Sequence, residues 1–254
     1  MNENRFDKKG AAYSAARPSY PDELLNALSE ENIIAPESTV ADIGAGTGIF
    51  SLQLARLAGS VFAVEPNGDM RNEAERYLKS AKNVKVINGS AENTGLDAGS
   101  VDCVTAAQAF HWFNKAAFSE ECKRILKPAG AVVLVWNIRD EDDPLIKENY
   151  GLNKIYCSGF GTLGEKSGFS RKYPGVVGDF FGSLGADFKR LTLKNNLAYD
   201  LDTFIMRNFS SSYAPTGGAE KAGYEKALKE LFESHAESGV VQYPYITECF
   251  YGKI

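Results

Sequence analysis

The sequence predicts an α/β fold in which helices cover both faces of a mostly parallel, doubly wound sheet. Three observations support this prediction. Short apolar runs alternate with amphipathic helical runs through the first half of the chain. These short runs are apolar throughout, as expected for strands buried between two layers of helices. A glycine-rich turn follows the first run, at the place where such sheets bind ligands.

The predicted elements follow one another in regular order. Strands are expected in the most apolar runs, at 39–43, 61–64, 84–87, 101–106 and 131–136. Between them, apolar residues recur at helical spacing, which predicts helices at 49–58, 67–79 and 115–126. Pro128 and Gly130 are expected to end the last of these helices.

The pattern changes after Trp136. The segment 138–185 is rich in Gly, Tyr and charge and lacks sustained periodicity, so we interpret it as an insertion over the strand ends. Regular structure is expected to return in the last third of the chain, with a strand at 188–193, helices near 201–209 and 220–235, and a final strand or hairpin arm at 240–251.

Composition limits the classes of function. The net charge of −5 and pI of about 5.3 argue against a nucleic-acid partner. Four scattered cysteines and two histidines form no metal-ligand pattern, so we expect no metal. The polar N-terminus lacks an apolar signal region, and no apolar run approaches the roughly 20 residues of a membrane span. We expect a cytoplasmic protein with no membrane partner, and the oligomeric state stays open.

The stretch VADIGAGTGIF (40–50) carries the first functional signal. A dinucleotide fingerprint, G-x-G-x-x-G, would need glycine at the position of Ile49. Asp42, two residues before the first glycine, is unfavourable beside a pyrophosphate and suits a ligand with a cationic end. Glu65, at the end of the second predicted strand, can accept hydrogen bonds from ribose hydroxyls. A ribose and a nearby cation without a diphosphate describe S-adenosylmethionine (SAM).

Four segments carry a family resemblance: VADIGAGTG, AVEPNGDM, NGSAENTGL and AAQAFHWF, in this order. They closely resemble class I SAM-dependent methyltransferases, and within these the small-molecule branch that includes trans-aconitate methyltransferase. The N-terminal FDKKGAAYSAARPSYP also fits that branch. The resemblance covers residues 6 to about 137. It implies a Rossmann-like, seven-stranded sheet in a single domain (1–254), with an N-terminal lid (1–36) and helical cap segments at 138–185 and 200–236.

The resemblance also implies a set of cofactor-binding residues. The methionine end of SAM would contact Asp42, Gly44, Gly46, Gly48 and Gln108. The ribose would bind to Glu65, and the adenine would lie against Met70, Ser90 and Ala91. Ser90 replaces an aspartate that is frequent in the class, which implies a weaker contact. Tyr13 and Arg17 would fold over the cofactor, with Arg17 reaching its carboxylate.

The acceptor side is less defined. His111 is a candidate general base and Trp112 its neighbour, but packing at the mouth of the pocket is the favoured interpretation of both. If the small-molecule acceptor is a carboxylate, Arg139, Arg171 or Arg207 could anchor it, and Arg139 is the leading candidate. Two alternatives remain: a non-catalytic SAM-binding regulator, and a nicotinamide-dependent reductase, which Ile49 and Asp42 disfavour.

Overall fold

The computed structural model describes residues 18–160, 174–211 and 213–254. Three residues named above, Tyr13, Arg17 and Arg171, lie outside the described residues, as does the first half of the expected N-terminal lid.

A seven-stranded sheet forms the centre of the fold, in the order β3-β2-β1-β4-β5-β9-β6. Its strands are β1 (Thr39–Ile43), β2 (Ser60–Val64), β3 (Val84–Ile87), β4 (Val101–Ala107), β5 (Leu126–Arg139), β6 (Lys189–Lys194) and β9 (Tyr245–Lys253). The first five run parallel, and β9 is antiparallel to both β5 and β6. The predicted doubly wound, mostly parallel seven-stranded sheet is confirmed. Its strand order reverses between β1 and β4, which is where such folds bind ligands.

Eight helices are described: α1 (Asp22–Glu30), α2 (Ile49–Leu54), α3 (Gly68–Tyr77), α4 (Lys115–Ile125), α5 (Pro144–Tyr156), α6 (Pro174–Ser183), α7 (Leu201–Phe209) and α8 (Gly218–His235). Several begin at a residue whose side chain accepts a hydrogen bond from a backbone N–H of the first turn, as Asn67 does for α3 and Asn114 for α4. Such caps satisfy amide groups that have no partner inside the helix.

Both faces of the sheet are covered by apolar side chains. On one face, Leu28 of α1 and Leu54 of α2 pack with Val133 of β5. On the other face, Phe118 of α4 stacks on Phe180 of α6 with ring centroids 5.3 Å apart. The continuous apolarity of the central strands is therefore explained by burial on two sides.

A separate layer, which we call the cap, consists of α5, α7, α8 and the two-stranded sheet β7 (Leu197–Tyr199) and β8 (Val241–Tyr243). It has an apolar cluster of its own, in which Ile146, Phe204, Leu228 and Tyr243 are buried. The cap follows β5 and precedes β9, so it lies at the edge where the parallel strands end.

The structure corrects two expectations of element placement. The segment 138–185 contains the 13-residue helix α5, which Asp143 caps, and the helix α6. Helix α6 belongs to the layer that packs on the sheet, because its apolar residues Val177, Phe180 and Phe181 recur at helical spacing and join the main core. The closing segment 240–251 is divided by Pro244 into two strands that belong to different sheets.

Pro128 and Gly130 do not end α4 as expected. The helix ends at Ile125, and both residues lie inside β5, which begins at Leu126. The pairing with β4 shifts register between Val101 and Cys103, opposite this end of β5. A proline has no N–H for the ladder, so it is tolerated where the pairing is already irregular. Among the described helices, none is both long enough and apolar enough to cross a lipid bilayer.

Candidate active site

A cleft opens at the edge of the sheet where β1, β2, β4 and β5 end. The glycine turn follows β1, Glu65 follows β2 and Gln108 follows β4, while Arg139 is the last residue of β5. The cleft is lined by Pro18, Tyr20, Asp42, Gly44, Ala45, Gly46, Thr47, Ile49, Phe50, Ala107 and Gln108. It lies at the switch point between β1 and β4, in the position expected for a ligand of this fold.

The three glycines of the turn serve different purposes. All have positive φ: +69° at Gly44, +59° at Gly46 and +87° at Gly48. A Cβ on Gly44 would lie 2.7 Å from Cβ of Ala109, and one on Gly48 would lie 2.6 Å from Cδ1 of Leu78. Gly48 therefore allows close packing against Leu78, although the resemblance implied a cofactor contact. A Cβ on Gly46 would meet nothing within 4 Å, so its backbone is open to a ligand.

Asp42 is a buried carboxylate at the base of the cleft. Its oxygens accept hydrogen bonds from Ser51 Oγ at 2.6 Å and from Thr105 Oγ1 at 2.9 Å. Burial raises the pKa of Asp42 to about 6, and the two hydroxyl groups only partly offset this effect. The carboxylate makes no ion pair with the described residues. A cationic group in the cleft would supply the missing charge.

We expect the Asp42→Asn substitution to stabilise the protein and to weaken SAM binding. Because the pKa of Asp42 is raised to about 6 from its usual 3.8, folding favours the protonated form. The stability that the protonated Asp42 carboxyl contributes is present below about pH 4. It is lost as the pH rises through about 6. The variant should therefore have a higher Tm than the wild type at pH 8 and a similar Tm near pH 4.

Thermal denaturation across this pH range and calorimetric titration with SAM measure both effects. We expect the dissociation constant for SAM to rise about tenfold at pH 8, since the amide cannot pair with a cation. The affinity of the wild type should itself decline as the pH falls below about 6, where Asp42 is protonated. Equal affinities of variant and wild type at pH 8 would contradict a cation contact at Asp42.

Glu65 connects the turns that follow β1 and β2. Its Oε2 accepts a hydrogen bond from the Gly46 N–H and its Oε1 accepts one from the Asn67 N–H, both at 2.9 Å. Burial raises the pKa of the Glu65 carboxyl, and these two bonds and the charge of Arg71 oppose the rise. Each carboxylate oxygen can accept a further hydrogen bond, so Glu65 can shape the glycine turn and bind hydroxyl groups together. Sequence patterns did not reveal the bond to Gly46.

The remaining residues of the expected adenine side lie near the ends of β2 and β3. Met70 is buried in α3, where its N–H donates to Asn67 Oδ1 at 3.0 Å. Ser90 forms a turn after β3, with its N–H bonded to the Asn93 carbonyl oxygen, and Ala91 is buried in the main core. None of the three lines the cleft described above, and their contacts with adenine stay predictions.

Gln108 has an unusual backbone conformation at the end of β4. Its φ is +55°, which non-glycine residues rarely adopt outside functional or strained sites. Its Nε2 donates a hydrogen bond to the Asn137 carbonyl oxygen at 2.7 Å, so the cleft wall is joined to β5. The structure therefore places Gln108 in the cleft, as expected for a residue on the methionine side.

His111 and Trp112 lie in a short 3-10 helix, Phe110–Trp112, after β4. Phe110 is fully buried, while Trp112 is 44% exposed. The His111 and Trp112 ring centroids are 4.8 Å apart. Neither residue lines the cleft, so a role for His111 as a base stays a prediction.

Arg139 is a buried cation beneath the cap. Its side chain is only 8% exposed, its Nη2 donates to the Tyr213 hydroxyl oxygen at 3.3 Å, and its guanidinium lies 5.5 Å from the centre of the Tyr150 ring. Its Nε has no hydrogen-bond acceptor among the described residues. Within the same residues, no carboxylate lies within ion-pair distance of Arg139.

Arg207 lies close to the same place. Its Nε donates to the Tyr245 hydroxyl oxygen at 2.7 Å, and Tyr245 is the cross-strand neighbour of Arg139 in the β5–β9 pair. Arg207 likewise forms no ion pair with the part of the chain that the structure describes. The structure thus brings together two of the three arginines that the sequence suggested. We call Arg139, Arg207, Tyr150, Tyr213 and Tyr245 the arginine–tyrosine cluster.

Comparisons with known proteins agree with this geometry. Residues 41–134 match a family model described as a methyltransferase domain. A Dictyostelium discoideum protein provisionally named as a methyltransferase is 29% identical over 244 residues, which cover 91% of this chain and 85% of that protein. Further relatives, up to 38% identical, align over about half of their own length.

Solved structures show the same fold. A protein from Anaeromyxobacter dehalogenans, provisionally described as a type II methyltransferase, is 25% identical with a TM-score of 0.62, over 93% of this chain and 97% of that one. A geranyl diphosphate methyltransferase crystallised with SAM is 13% identical with a TM-score of 0.51, over 95% and 84% of the two chains, and supports the fold alone.

Proposed function

The chain belongs to the class I SAM-dependent methyltransferases, and we propose that it methylates a small molecule whose carboxylate binds beneath the cap. The observation that carries the proposal is Arg139, a buried guanidinium that has no carboxylate partner in the described ranges. The trans-aconitate branch and the identity of the acceptor are not needed for it.

The residues of the cleft, together with Glu65, which bonds to the Gly46 N–H of its glycine turn, fit SAM. Asp42 provides a buried negative charge for the cationic amino group, Gly46 leaves the backbone accessible, and Glu65 retains acceptor capacity for the ribose hydroxyls. Bound SAM supplies a methyl group on a positively charged sulfur, which a nucleophile can displace in line. The chain has to hold donor and acceptor in line and exclude water, and this displacement requires no covalent enzyme intermediate.

The geometry of β5 connects the two halves of the site. The carbonyl oxygen of Asn137 accepts the bond from Gln108, which lines the cofactor cleft. Arg139 lies two residues further along the same strand, beneath the cap. An acceptor held by Arg139 would therefore lie at the same edge of the sheet as the cofactor, on its methionine side.

Burial of a cation that has no carboxylate partner among the described residues favours an anionic ligand. A guanidinium removed from water loses hydration, and an anion that forms hydrogen bonds with it restores part of that loss. Carboxylates match the planar donors of arginine particularly well. Arg207, which donates to the Tyr245 hydroxyl oxygen, adds a second positive charge to the same cluster.

Aromatic rings form and border the arginine–tyrosine cluster, which favours a small acceptor. Tyr150 and Phe160 have ring centroids 5.3 Å apart, and Phe160 lies edge-on to Tyr213 at 5.1 Å. A buried cation bordered by aromatic rings suits a compact molecule better than a folded protein or a nucleic acid.

We expect small carboxylic acids to be methylated much faster than their neutral amides. The test measures release of S-adenosylhomocysteine from SAM with a panel of acids, each paired with the amide of the same skeleton. For an acid that binds Arg139, kcat/KM should be about 100-fold higher than for its amide. This ratio corresponds to the free energy of a buried charge-assisted hydrogen bond. Equal rates for acid and amide, or turnover only with proteins or nucleic acids, would reject the proposal.

A further inference from the structure

Two buried asparagines bind one main-chain carbonyl near the N-terminus of the described chain. The Ser19 carbonyl oxygen accepts hydrogen bonds from Asn137 Nδ2 at 3.1 Å and from Asn195 Nδ2 at 2.8 Å. The two asparagines also bond to each other, because Asn195 Nδ2 lies 3.1 Å from Asn137 Oδ1. Both are 7% exposed. We call Asn137 and Asn195 the amide pair.

The bound carbonyl belongs to a wall of the cofactor cleft. Ser19 stands between Pro18 and Tyr20, which both line the cleft. Tyr20 is fixed further by Gln53, which accepts from the Tyr20 N–H at 3.0 Å and donates to its carbonyl oxygen at 2.7 Å. The Tyr20 ring meets Phe50, another lining residue, edge-on at 4.8 Å. The position of this wall therefore depends on hydrogen bonds to both Ser19 and Tyr20.

The amide pair also belongs to the elements that lead to the cap. Asn137 lies on β5, and its Oδ1 accepts a hydrogen bond from Thr247 Oγ1 of β9. Asn195 lies between β6 and the cap strand β7, and its N–H donates to the Tyr245 carbonyl oxygen at 2.8 Å. The pair thus connects the Pro18–Tyr20 wall to the strands that support the acceptor side.

We propose that Asn137 and Asn195 are positioning residues for SAM, which act by holding Ser19 and thereby the Pro18–Tyr20 wall. Neither side chain lines the cleft itself. This proposal rests on SAM binding and is independent of the acceptor. SAM affinity can therefore prove insensitive to the two asparagines while the carboxylate proposal stands, and the carboxylate proposal can fail while this one stands.

The test measures SAM binding by calorimetry for Asn137→Ala, Asn195→Ala and the double variant. We expect each single change to raise the dissociation constant about tenfold, because the wall loses part of its support. The double variant should bind almost as well as either single one, since both side chains hold the same carbonyl and are coupled. Additive losses would indicate two unrelated contacts and would overturn the shared role.

Asn83→Ala is the matched control. Asn83 Nδ2 also donates to main-chain carbonyl oxygens, those of Ala55 and Ala58, both at 2.9 Å. It precedes β3 and therefore lies at the opposite edge of the sheet from the cleft. The Asn83→Ala change should lower Tm, because a half-buried amide loses two hydrogen bonds, while SAM affinity stays within about twofold. If the amide-pair variants behave in the same way as this control, Asn137 and Asn195 are structural only.

Asn137→Asp provides a readout that a purely structural role would not change. The ionised carboxylate cannot donate to the Ser19 carbonyl oxygen, whereas the protonated carboxyl can. The ratio of the variant's dissociation constant to that of the wild type should therefore be largest at pH 8 and approach one as the pH falls. Using the ratio cancels the titration of Asp42. A ratio that does not change with pH would contradict the bond to Ser19 as the cause.

Discussion

Arg139→Met should leave the thermal stability unchanged or raise it, while kcat/KM for the acceptor falls by about 100-fold or more. Arg139 is buried without a carboxylate partner in the described part of the chain, so its charge is held away from water without full compensation. Methionine has a similar length and no charge, and removes this cost. It also removes the cation that we propose binds the acceptor.

Thermal denaturation, SAM calorimetry and steady-state kinetics on the same preparation separate these effects. The dissociation constant for SAM should stay within about twofold of the wild type, because Arg139 does not line the cofactor cleft. The loss should appear mainly in KM for the acceptor if binding is equal in the ground and transition states. A lower Tm together with an unchanged acceptor KM would assign Arg139 to the structure and not to the acceptor.

Arg190→Met is the matched control. Arg190 is half exposed on β6 and forms an ion pair with Glu248, whose side chain is buried. Removing Arg190 deprives a buried carboxylate of this partner, so stability should fall while the acceptor KM stays the same. The two arginines should therefore show opposite patterns, one affecting function and the other stability.

Glu65→Ala should weaken SAM binding by about 10- to 100-fold. A change of this size corresponds to the loss of one or two hydrogen bonds to a charged group. Two causes act together. The ribose hydroxyls lose their acceptor, and the N–H groups of Gly46 and Asn67 lose theirs, so the glycine turn is less well fixed. Calorimetric titration measures the change in the dissociation constants of SAM and of S-adenosylhomocysteine. Both ligands contain the ribose, so both should bind more weakly.

Two further variants sharpen this test. Glu65→Gln keeps one acceptor oxygen and should give an intermediate affinity. Glu75→Ala removes a carboxylate from the exposed side of α3, and it should leave SAM affinity within about twofold. An unchanged dissociation constant in Glu65→Ala would exclude Glu65 as the ribose acceptor, whatever the variant's Tm.

The sheet and the cofactor cleft were predictable because their signals are local. The strands at the centre of the sheet are apolar on both faces. The glycine turn, Asp42 and Glu65 lie at fixed places relative to the ends of β1 and β2. These features follow from burial and from the φ values of a tight turn, so they appear in the sequence itself.

The contacts that complete the site were not predictable in the same way. The bond between Asn195 and Ser19 joins positions 176 residues apart, and nothing in the local sequence indicates it. The sequence offered Arg139 and Arg207 as separate candidates, and only the pairing of β5 with β9 brings both to Tyr245. The bounds of helix α5 within the segment 138–185 could not be located from periodicity, because its sequence, PLIKENYGLNKIY, mixes polar and apolar residues and buries two asparagines, Asn149 and Asn153.

The most direct test of the account is calorimetric titration of the wild-type protein with SAM, S-adenosylhomocysteine and NADH. The glycine turn, Asp42 and Glu65 predict micromolar binding of the first two and no measurable binding of NADH, because the cleft offers a carboxylate where a pyrophosphate would lie. Binding of NADH in preference to SAM, or no binding of either SAM or S-adenosylhomocysteine, would contradict the assignment of this cleft.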